Sequence, residues 1–215
     1  MFNNVQEKGY PWTNEDHPLA RRNDHSREEI REMALAAAEQ IVSQQGPGGL
    51  TARKVASAIG YTVGTLYLVF ENVDDLILCV NGRTLDRLQA RMLQERALCR
   101  DGREALLRLG ETYIRFAHED PHRWELIFGH RSEKIPDWLE HKVARMFDLV
   151  EAALRTLAST RSEQEVALAA RALWGGVHGI CILALTKKLR VAGVESVQDL
   201  AQSLIATYLR GFTQG

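Results

Sequence analysis

Residues 49–70 read GLTARKVASAIGYTVGTLYLVF, and this part of the sequence is the most informative about the fold. Thr51 predicts the start of a short helix that ends at Ile59, because a threonine hydroxyl can accept a hydrogen bond from a first-turn amide. A Gly-Tyr turn follows, and Thr62 predicts the start of a second short helix running to Phe70. Two short helices joined by a glycine turn are typical of a helix-turn-helix, whose second helix enters the DNA major groove.

The same stretch closely resembles the DNA-binding domain of TetR-family transcriptional regulators. Asn72, followed by Asp74-Asp75-Leu76, resembles the start of the family's fourth helix, and the resemblance covers roughly residues 26–80. Farther along, the sequence LWGGVHG at residues 173–179 resembles the Trp-His-Gly signature of one C-terminal subfamily. The resemblance implies an all-α regulator in which a DNA-binding domain precedes a ligand-binding domain.

The resemblance also implies roles for single residues. Thr51 matches a position that contacts a phosphate, residues 62–65 match positions that approach the bases, and Tyr67 matches a hydroxyl that reaches a phosphate. The predicted DNA-binding residues are therefore Thr51, Arg53, Thr62, Val63, Gly64, Thr65 and Tyr67.

This chain departs from the family at three positions. Val63, Val69 and Val73 stand where members often carry a basic residue, a His or Tyr, and a Lys, respectively. Residues 40–70 contain Arg53 and Lys54 and no acidic residue, so the local positive charge is small. We therefore expect ordinary rather than tight DNA affinity, with apolar contacts to bases, for example to thymine methyl groups.

The composition indicates a globular protein. Hydrophobic residues make up 45% of the 215 residues, and 27 basic against 28 acidic residues give a net charge of −1. Three isolated cysteines suit a reducing compartment. The apolar run at 172–185 is shorter than the ~18 residues of a membrane span, and the N-terminus does not resemble a signal peptide. We expect a soluble, cytoplasmic protein.

The rest of the chain has helical periodicity, without convincing strand alternation. Ser26 predicts the start of the first helix and Asn72 the start of a long one ending near Cys99. Further helices are predicted at 103–119, 121–129, 136–158, 162–188 and 196–212. The expected architecture is all-α, with an N-terminal arm at 1–25, a three-helix helix-turn-helix domain at 26–72, and a helical-bundle ligand-binding and dimerisation domain at 73–215.

Two features bear on partners. Arg21 and Arg22 precede the first helix, where an arm could contact the minor groove or the flanking backbone; a solvated tail is the alternative. The last two long helices carry an apolar stripe that we expect to pair two copies of the chain across a two-fold axis. The stripe consists of Val166, Leu173, Val177, Ile180, Leu204, Ile205 and Leu209.

The larger domain is rich in aromatic residues. A bundle that senses a small molecule lines its pocket with such residues and a few polar groups, although core packing is the alternative for each of them. Glycines at 175, 176 and 179 would let another helix or a ligand approach closely. The predicted ligand-binding residues are Tyr113, Phe116, Trp124, Phe128, Phe147, Trp174 and His178.

These observations predict a homodimeric repressor that a small, largely apolar effector releases from a palindromic operator. We expect no catalytic residue, cofactor or metal. His118, His122 and His130 are the alternative metal ligands, but Pro121 interrupts their helical spacing. The competing function is a small-molecule-binding or enzymatic helical protein with a vestigial helix-turn-helix, which the sparse positive charge favours.

Overall fold

The computed structural model describes residues 25–214, and this part of the chain is helical with no β-strand. The N-terminal helices are α1 (Arg27–Gln45), α2 (Ala52–Ala58) and α3 (Val63–Leu66). The remaining helices are α4 (Val73–Ala97), α5 (Gly102–Glu119), α6 (Pro121–Gly129), α7 (Asp137–Leu157), α8 (Glu163–Leu185), α9 (Lys188–Val191) and α10 (Val197–Gln214). The predicted all-α fold is confirmed.

Local capping explains where the N-terminal helices begin. Ser26 and Glu29 form a capping box at the start of α1. The side chains of Thr51, Thr62 and Asn72 each accept a hydrogen bond from the amide three residues later, at the starts of α2, α3 and α4. All four predicted N-caps are confirmed.

The N-terminal helices pack around a small core of their own. Leu66 and Phe70 are almost fully buried there beside Val42 of α1 and Val55 of α2. Leu76 and Val80 of α4 complete this core, and α4 therefore begins inside the N-terminal domain and continues into the bundle.

The C-terminal bundle is built around α5. This helix packs against α4, α7, α8 and α10, and its buried face includes Leu109 and Tyr113. The bundle core also contains Trp124 of α6, Leu154 of α7 and Leu209 of α10. Its contacts leave a cavity at one end, described below.

Two helix ends differ from the predictions by three residues or more. The second helix of the helix-turn-helix ends at Leu66 rather than Phe70, because the amides of Leu68 and Val69 bond to carbonyls only three residues back and tighten the chain into turns. Helix α8 ends at Leu185 rather than at residue 188. Lys187 then adopts a left-handed backbone with φ of 59°, which separates α8 from α9.

Helix α8 is long and apolar enough to cross a membrane by length and composition alone, although the apolar run in the sequence is shorter. In the structure it packs against α5, α7 and α10. Val166, Leu173 and Val177 are buried in the bundle core. The core therefore accounts for part of its hydrophobic surface.

The predicted arm falls almost wholly outside the described residues. Arg21 and Arg22 belong to that part of the chain, so their role in DNA binding stays a prediction.

Candidate DNA-binding surface and internal cavity

The predicted DNA-binding residues lie on α2 and α3, at the N-caps of both helices and at the C-cap of α3. None of them is buried, and Tyr67 is 46% exposed. The seven positions range from fully to partly exposed along this unit. The fold thus brings all seven to one helix-turn-helix unit and leaves them accessible to a partner.

The threonine hydroxyls on this surface already cap helices. Thr51 Oγ1 accepts from the Lys54 amide at 3.3 Å, and Thr62 Oγ1 accepts from the Thr65 amide at 3.2 Å. Thr62 and Thr65 also share a hydrogen bond between their hydroxyls at 3.0 Å. A capping hydroxyl accepts with its oxygen and keeps its proton, so Thr51 can still donate to a phosphate.

Helix α1 contacts the chain just after α3 and so fixes the orientation of α3. No local sequence pattern signals this contact. Arg31 Nη1 donates to the Val69 carbonyl at 2.6 Å, and its guanidinium carbon lies 4.6 Å from the centroid of the Phe70 ring. At the turn, the Tyr61 hydroxyl and His25 Nδ1 are 2.7 Å apart. The segment 61–70, called the recognition segment below, is therefore held at one end by His25, which precedes α1, and at the other end by Arg31 of α1.

A cavity of about 330 Å³ lies between α4, α5, α6, α7 and α8. No Asp, Glu, Lys or Arg is among its lining residues. They are Leu78, Asn81, Leu85, Leu88, Met92, Tyr113, Trp124, Ile127, Phe128, His130, Ser132, Ile135, Leu139, Val143, Met146, Phe147, Val150 and Trp174. This is within the size range of small-molecule pockets, and its largely apolar wall suits a hydrophobic molecule.

Five of the seven predicted ligand-binding residues line this cavity: Tyr113, Trp124, Phe128, Phe147 and Trp174. The other two do not line it. Phe116 is buried in the bundle core with the Arg91 guanidinium 5.2 Å from its ring centroid. His178 lies behind the wall, where its ring stacks on Trp174 with centroids 5.3 Å apart. Helical spacing in the sequence could not distinguish residues that line the cavity from residues packed behind them.

A hydrogen-bond chain links the wall to His178. Trp174 Nε1 donates to the Tyr113 hydroxyl at 2.8 Å. That hydroxyl and His178 Nδ1 are 3.0 Å apart, and the hydroxyl donates to Nδ1 when the imidazole is neutral and protonated at Nε2. Burial lowers the pKa of His178 and raises the pKa of the Tyr113 hydroxyl, so both groups favour their neutral forms.

The loop between α6 and α7 ties the cavity wall to the first turn of α4. Ser132 Oγ donates to Asp74 Oδ2 at 2.6 Å, and His130 Nε2 bonds to the other carboxylate oxygen. The Ser132 bond, followed by the His130 bond, holds the pKa of Asp74 below its ordinary value. Asp74 lies in the first turn of the helix that follows α3 along the chain, so the wall is connected to the DNA-binding domain.

Two of the three histidines considered as alternative metal ligands form hydrogen bonds to protein groups instead. His122 Nδ1 donates to the Ser43 carbonyl at 2.9 Å, while His130 bonds to Asp74. No group of three His, Cys, Asp or Glu side chains between residues 25 and 214 is placed to hold a metal ion.

The predicted dimer stripe is wrong in its residues. Leu204 is partly buried against the core, and the other six residues, Val166, Leu173, Val177, Ile180, Ile205 and Leu209, are buried in the core of a single chain. Periodicity identified buried positions but not what buries them. Gly176 likewise makes room for a helix, because a Cβ there would lie 2.6 Å from Leu204 Cδ2 of α10.

A different face of α8 is exposed. Leu168 is 71% exposed, Ile182 and Leu183 are exposed by about two fifths, and Gly175 between them has open space around it. Gly211 of α10 is also open. This face, defined by Leu168, Gly175, Ile182, Leu183 and Gly211, is called the α8–α10 face below.

Comparison with protein families gives two matches. Residues 34–80 match the family described as bacterial regulatory proteins, tetR family, and residues 106–208 match the family described as tetracyclin repressor-like, C-terminal domain. No match is found among curated proteins. The C-terminal description does not name the Trp-His-Gly subfamily, so that assignment stays a prediction.

Solved structures share the fold at low identity. A protein with unknown function from Rhodococcus sp. RHA1 is 19% identical with a TM-score of 0.72, covering 89% of this chain and 98% of its own. The TetR family transcriptional regulator PfmR from Thermus thermophilus is 20% identical, with a TM-score of 0.58 and coverage of 82% and 97%. The fatty acid degradation regulator FadR from Bacillus halodurans is 18% identical, with a TM-score of 0.63 and coverage of 83% and 94%.

The two family matches fit the two structural parts. The first contains α2, α3 and part of α1, and the second contains most of the bundle that encloses the cavity. Together the matches account for more than half of the chain. The chain therefore belongs to the TetR family of transcriptional regulators, with an N-terminal DNA-binding domain and a C-terminal ligand-binding domain.

Proposed function

We propose that this protein is a cytoplasmic, homodimeric repressor that binds a palindromic operator and is released from it by a small, largely apolar molecule in the cavity. The observation that carries the proposal is the position of α6. Its Leu126 packs in the core of the DNA-binding domain, while Trp124, Ile127 and Phe128 line the cavity. A ligand that displaces α6 must act on both domains.

The exposed helix-turn-helix residues supply DNA contacts of two kinds. We assign Thr51 and Tyr67 to phosphates, which fix the position of a protein on DNA without reading its sequence. We assign Val63 and Thr65 to base edges, where their methyl groups suit the methyl group of thymine. Arg53 adds positive charge to an exposed surface.

The α8–α10 face is our candidate dimer interface. Exposed leucine and isoleucine side chains on α8 flank Gly175, where another helix could approach closely. A two-fold axis through such a face makes it self-complementary. Two copies would then present two recognition segments to half-sites about one helical turn, ~34–36 Å, apart.

Two connections support coupling between cavity and operator. Helix α6 contacts both domains, and His122 at its start donates to Ser43 near the end of α1. The loop after α6 bonds to Asp74 at the start of α4. Ligand binding shifts the balance between DNA-binding and released states only if the ligand prefers one of them, and DNA must then weaken ligand binding by the same factor.

The wall supports an effector that is mostly hydrocarbon. One structural relative is a fatty acid degradation regulator, and a lipid-like molecule is compatible with this cavity.

A mobility shift tests the proposal against a vestigial helix-turn-helix. The full-length protein is titrated against fragments from upstream of its own gene, with a Val63→Ala, Thr65→Ala double variant as the control. The proposal expects a specific shift with the wild type that the variant weakens or redirects. A protein that shifts no fragment beyond a random-sequence control would instead favour the small-molecule-binding alternative.

A further inference from the structure

The cavity wall contains two polar atoms that have no hydrogen-bond partner within residues 25–214. They are the Oδ1 oxygen of Asn81 and the Nε1 nitrogen of Trp124. Asn81 is 4% exposed and Trp124 is 1% exposed. A buried polar group without a partner is costly, and most such groups in native proteins are paired. Both residues line the same cavity, although the two atoms themselves have less than 1 Å² of accessible surface, so a ligand would reach them through a small movement of the wall.

The identity of the free Asn81 atom is fixed by its neighbour. Asn81 Nδ2 donates to the Leu126 carbonyl at 3.4 Å, and a carbonyl oxygen can only accept. Rotating the amide would place two oxygens against each other, so Oδ1 is the atom left free. Asn81 therefore calls for a donor from the ligand, and the indole N–H of Trp124 calls for an acceptor.

Other polar groups in the wall are already engaged. The Trp174 N–H donates to the Tyr113 hydroxyl, which is also hydrogen-bonded to His178. His130 and Ser132 bond to Asp74. Asn81 and Trp124 are thus the side chains of the wall that carry a buried polar atom without a partner.

The wall carries no cation free to neutralise an acid. Lys and Arg are absent from the lining, and the imidazole of His130 is held by the carboxylate of Asp74. Moving an ionised carboxylate from water into such a cavity costs free energy that no partner returns. The Asp74 carboxylate behind the wall would add repulsion.

We propose that the cavity binds a neutral, largely hydrophobic molecule with an uncharged donor–acceptor group, as in an alcohol, a phenol or a carboxamide, and discriminates against carboxylates. The donor bonds to Asn81 Oδ1 and the acceptor to Trp124 Nε1. This proposal rests on the proposed function, because it takes the cavity as the effector site. It specifies an uncharged ligand instead of a free fatty acid.

Calorimetric titration of the full-length protein at pH 7.5 tests the discrimination with two matched pairs. The pairs are 2-naphthol with 2-naphthoate and decan-1-ol with decanoate. Each acid should bind at least tenfold more weakly than its alcohol, because it brings an unpaired charge into the cavity. The proposal is overturned if either acid binds as tightly as its alcohol, or if neither alcohol binds.

Two variants test the polar positions. Asn81→Leu and Trp124→Phe remove the unpaired atoms and keep apolar side chains, so each should weaken alcohol binding about tenfold, the effect of one buried hydrogen bond. Trp124→Phe breaks no hydrogen bond of the free protein, because Nε1 has no partner there, whereas Asn81→Leu also loses the bond from Nδ2 to the Leu126 carbonyl and should lower the melting temperature for that reason. Trp174→Phe is the matched control: it removes a bonded indole N–H and should lower the melting temperature.

The two proposals fail in different ways. Unchanged alcohol affinity in both Asn81→Leu and Trp124→Phe would refute the ligand assignment while leaving operator binding intact. Loss of specific DNA binding by the wild type in a mobility shift would refute the repressor function, whatever the cavity binds.

Discussion

Leu126 and Trp124 lie two residues apart on α6, yet their side chains belong to different hydrophobic cores. Leu126 packs with Val80 and Leu76 in the N-terminal core, and Trp124 packs with Tyr113 in the bundle core, with ring centroids 4.6 Å apart. Positions two apart point to nearly opposite sides of a helix. Helix α6 therefore connects the cavity wall directly to the domain that carries α3.

The first prediction concerns this connection. Leu126→Ala should lower the free energy of unfolding by about 2–5 kcal/mol, the usual cost of a buried leucine. It should also reduce the ligand-induced loss of operator affinity, because the side chain through which α6 packs in the N-terminal core is removed. Leu209→Ala, at a fully buried site on α10 remote from that core, is the control. Chemical denaturation and fluorescence anisotropy measure the two effects. Equal coupling in both variants would exclude α6 as the connection.

The second prediction concerns the Tyr67 hydroxyl, which is exposed. Tyr67→Phe should weaken operator binding by about 1 kcal/mol, or somewhat more because phosphate is charged. The loss should be similar for all operator sequences, because phosphates carry no sequence information. Tyr61→Phe is the control, since its hydroxyl bonds to His25 and its loss should affect stability instead. Anisotropy with several operators is the measurement, and unchanged affinity would remove Tyr67 from the interface.

The third prediction uses adjacent glycines on α8. Gly175→Glu should give a folded monomer with weak operator binding, because this position is open in one chain and faces the proposed partner. Gly176→Glu should destabilise the fold itself, because its Cβ would collide with Leu204. Ile180→Glu is unsuitable as an interface test, since Ile180 is buried in the core. Sedimentation velocity and thermal unfolding separate the outcomes. A dimeric Gly175→Glu protein would contradict the interface.

The fourth prediction concerns pH. Burial lowers the pKa of His178 in the folded chain, so below the unfolded value of about 6.5 the unfolded state takes up a proton more readily. The contribution of His178 to stability should be present above pH 6.5 and decline as the pH falls through the lowered folded pKa. His178→Gln keeps an acceptor for Tyr113 but does not titrate. The free energy of unfolding of the wild type, relative to that of the variant, should therefore decrease from pH 7.5 to 5.5. A constant difference would contradict the neutral imidazole.

Local chemistry accounts for what the sequence could predict. Ser26, Thr51, Thr62 and Asn72 start helices through bonds to amides three residues away, and such signals are complete within a short stretch. The cavity was predicted in part, because aromatic residues on several helices of a bundle converge on its interior. Exposure alone cannot establish a DNA contact, so those seven residues stay a prediction.

Tertiary contacts account for what it could not predict. Asn81 is one polar residue in a long helix, and only the packing of α6 shows that its Nδ2 is bonded while its Oδ1 is free. The apolar positions of α8 and α10 were correctly expected to be buried, but their partner is the same chain. Arg31 reaches Val69 across 38 residues of sequence, a contact that no local pattern signals.

Selection of double-stranded DNA from a random library by the purified full-length protein tests whether the protein reads DNA as a symmetric dimer. A dimer with two helix-turn-helix units predicts enrichment of a palindrome whose half-site centres lie about one helical turn, ~34–36 Å, apart. It also predicts that Thr65→Ala enriches a different base within each half-site, with the spacing retained. A library that remains random after repeated rounds, or an enriched site without two-fold symmetry, would contradict the account.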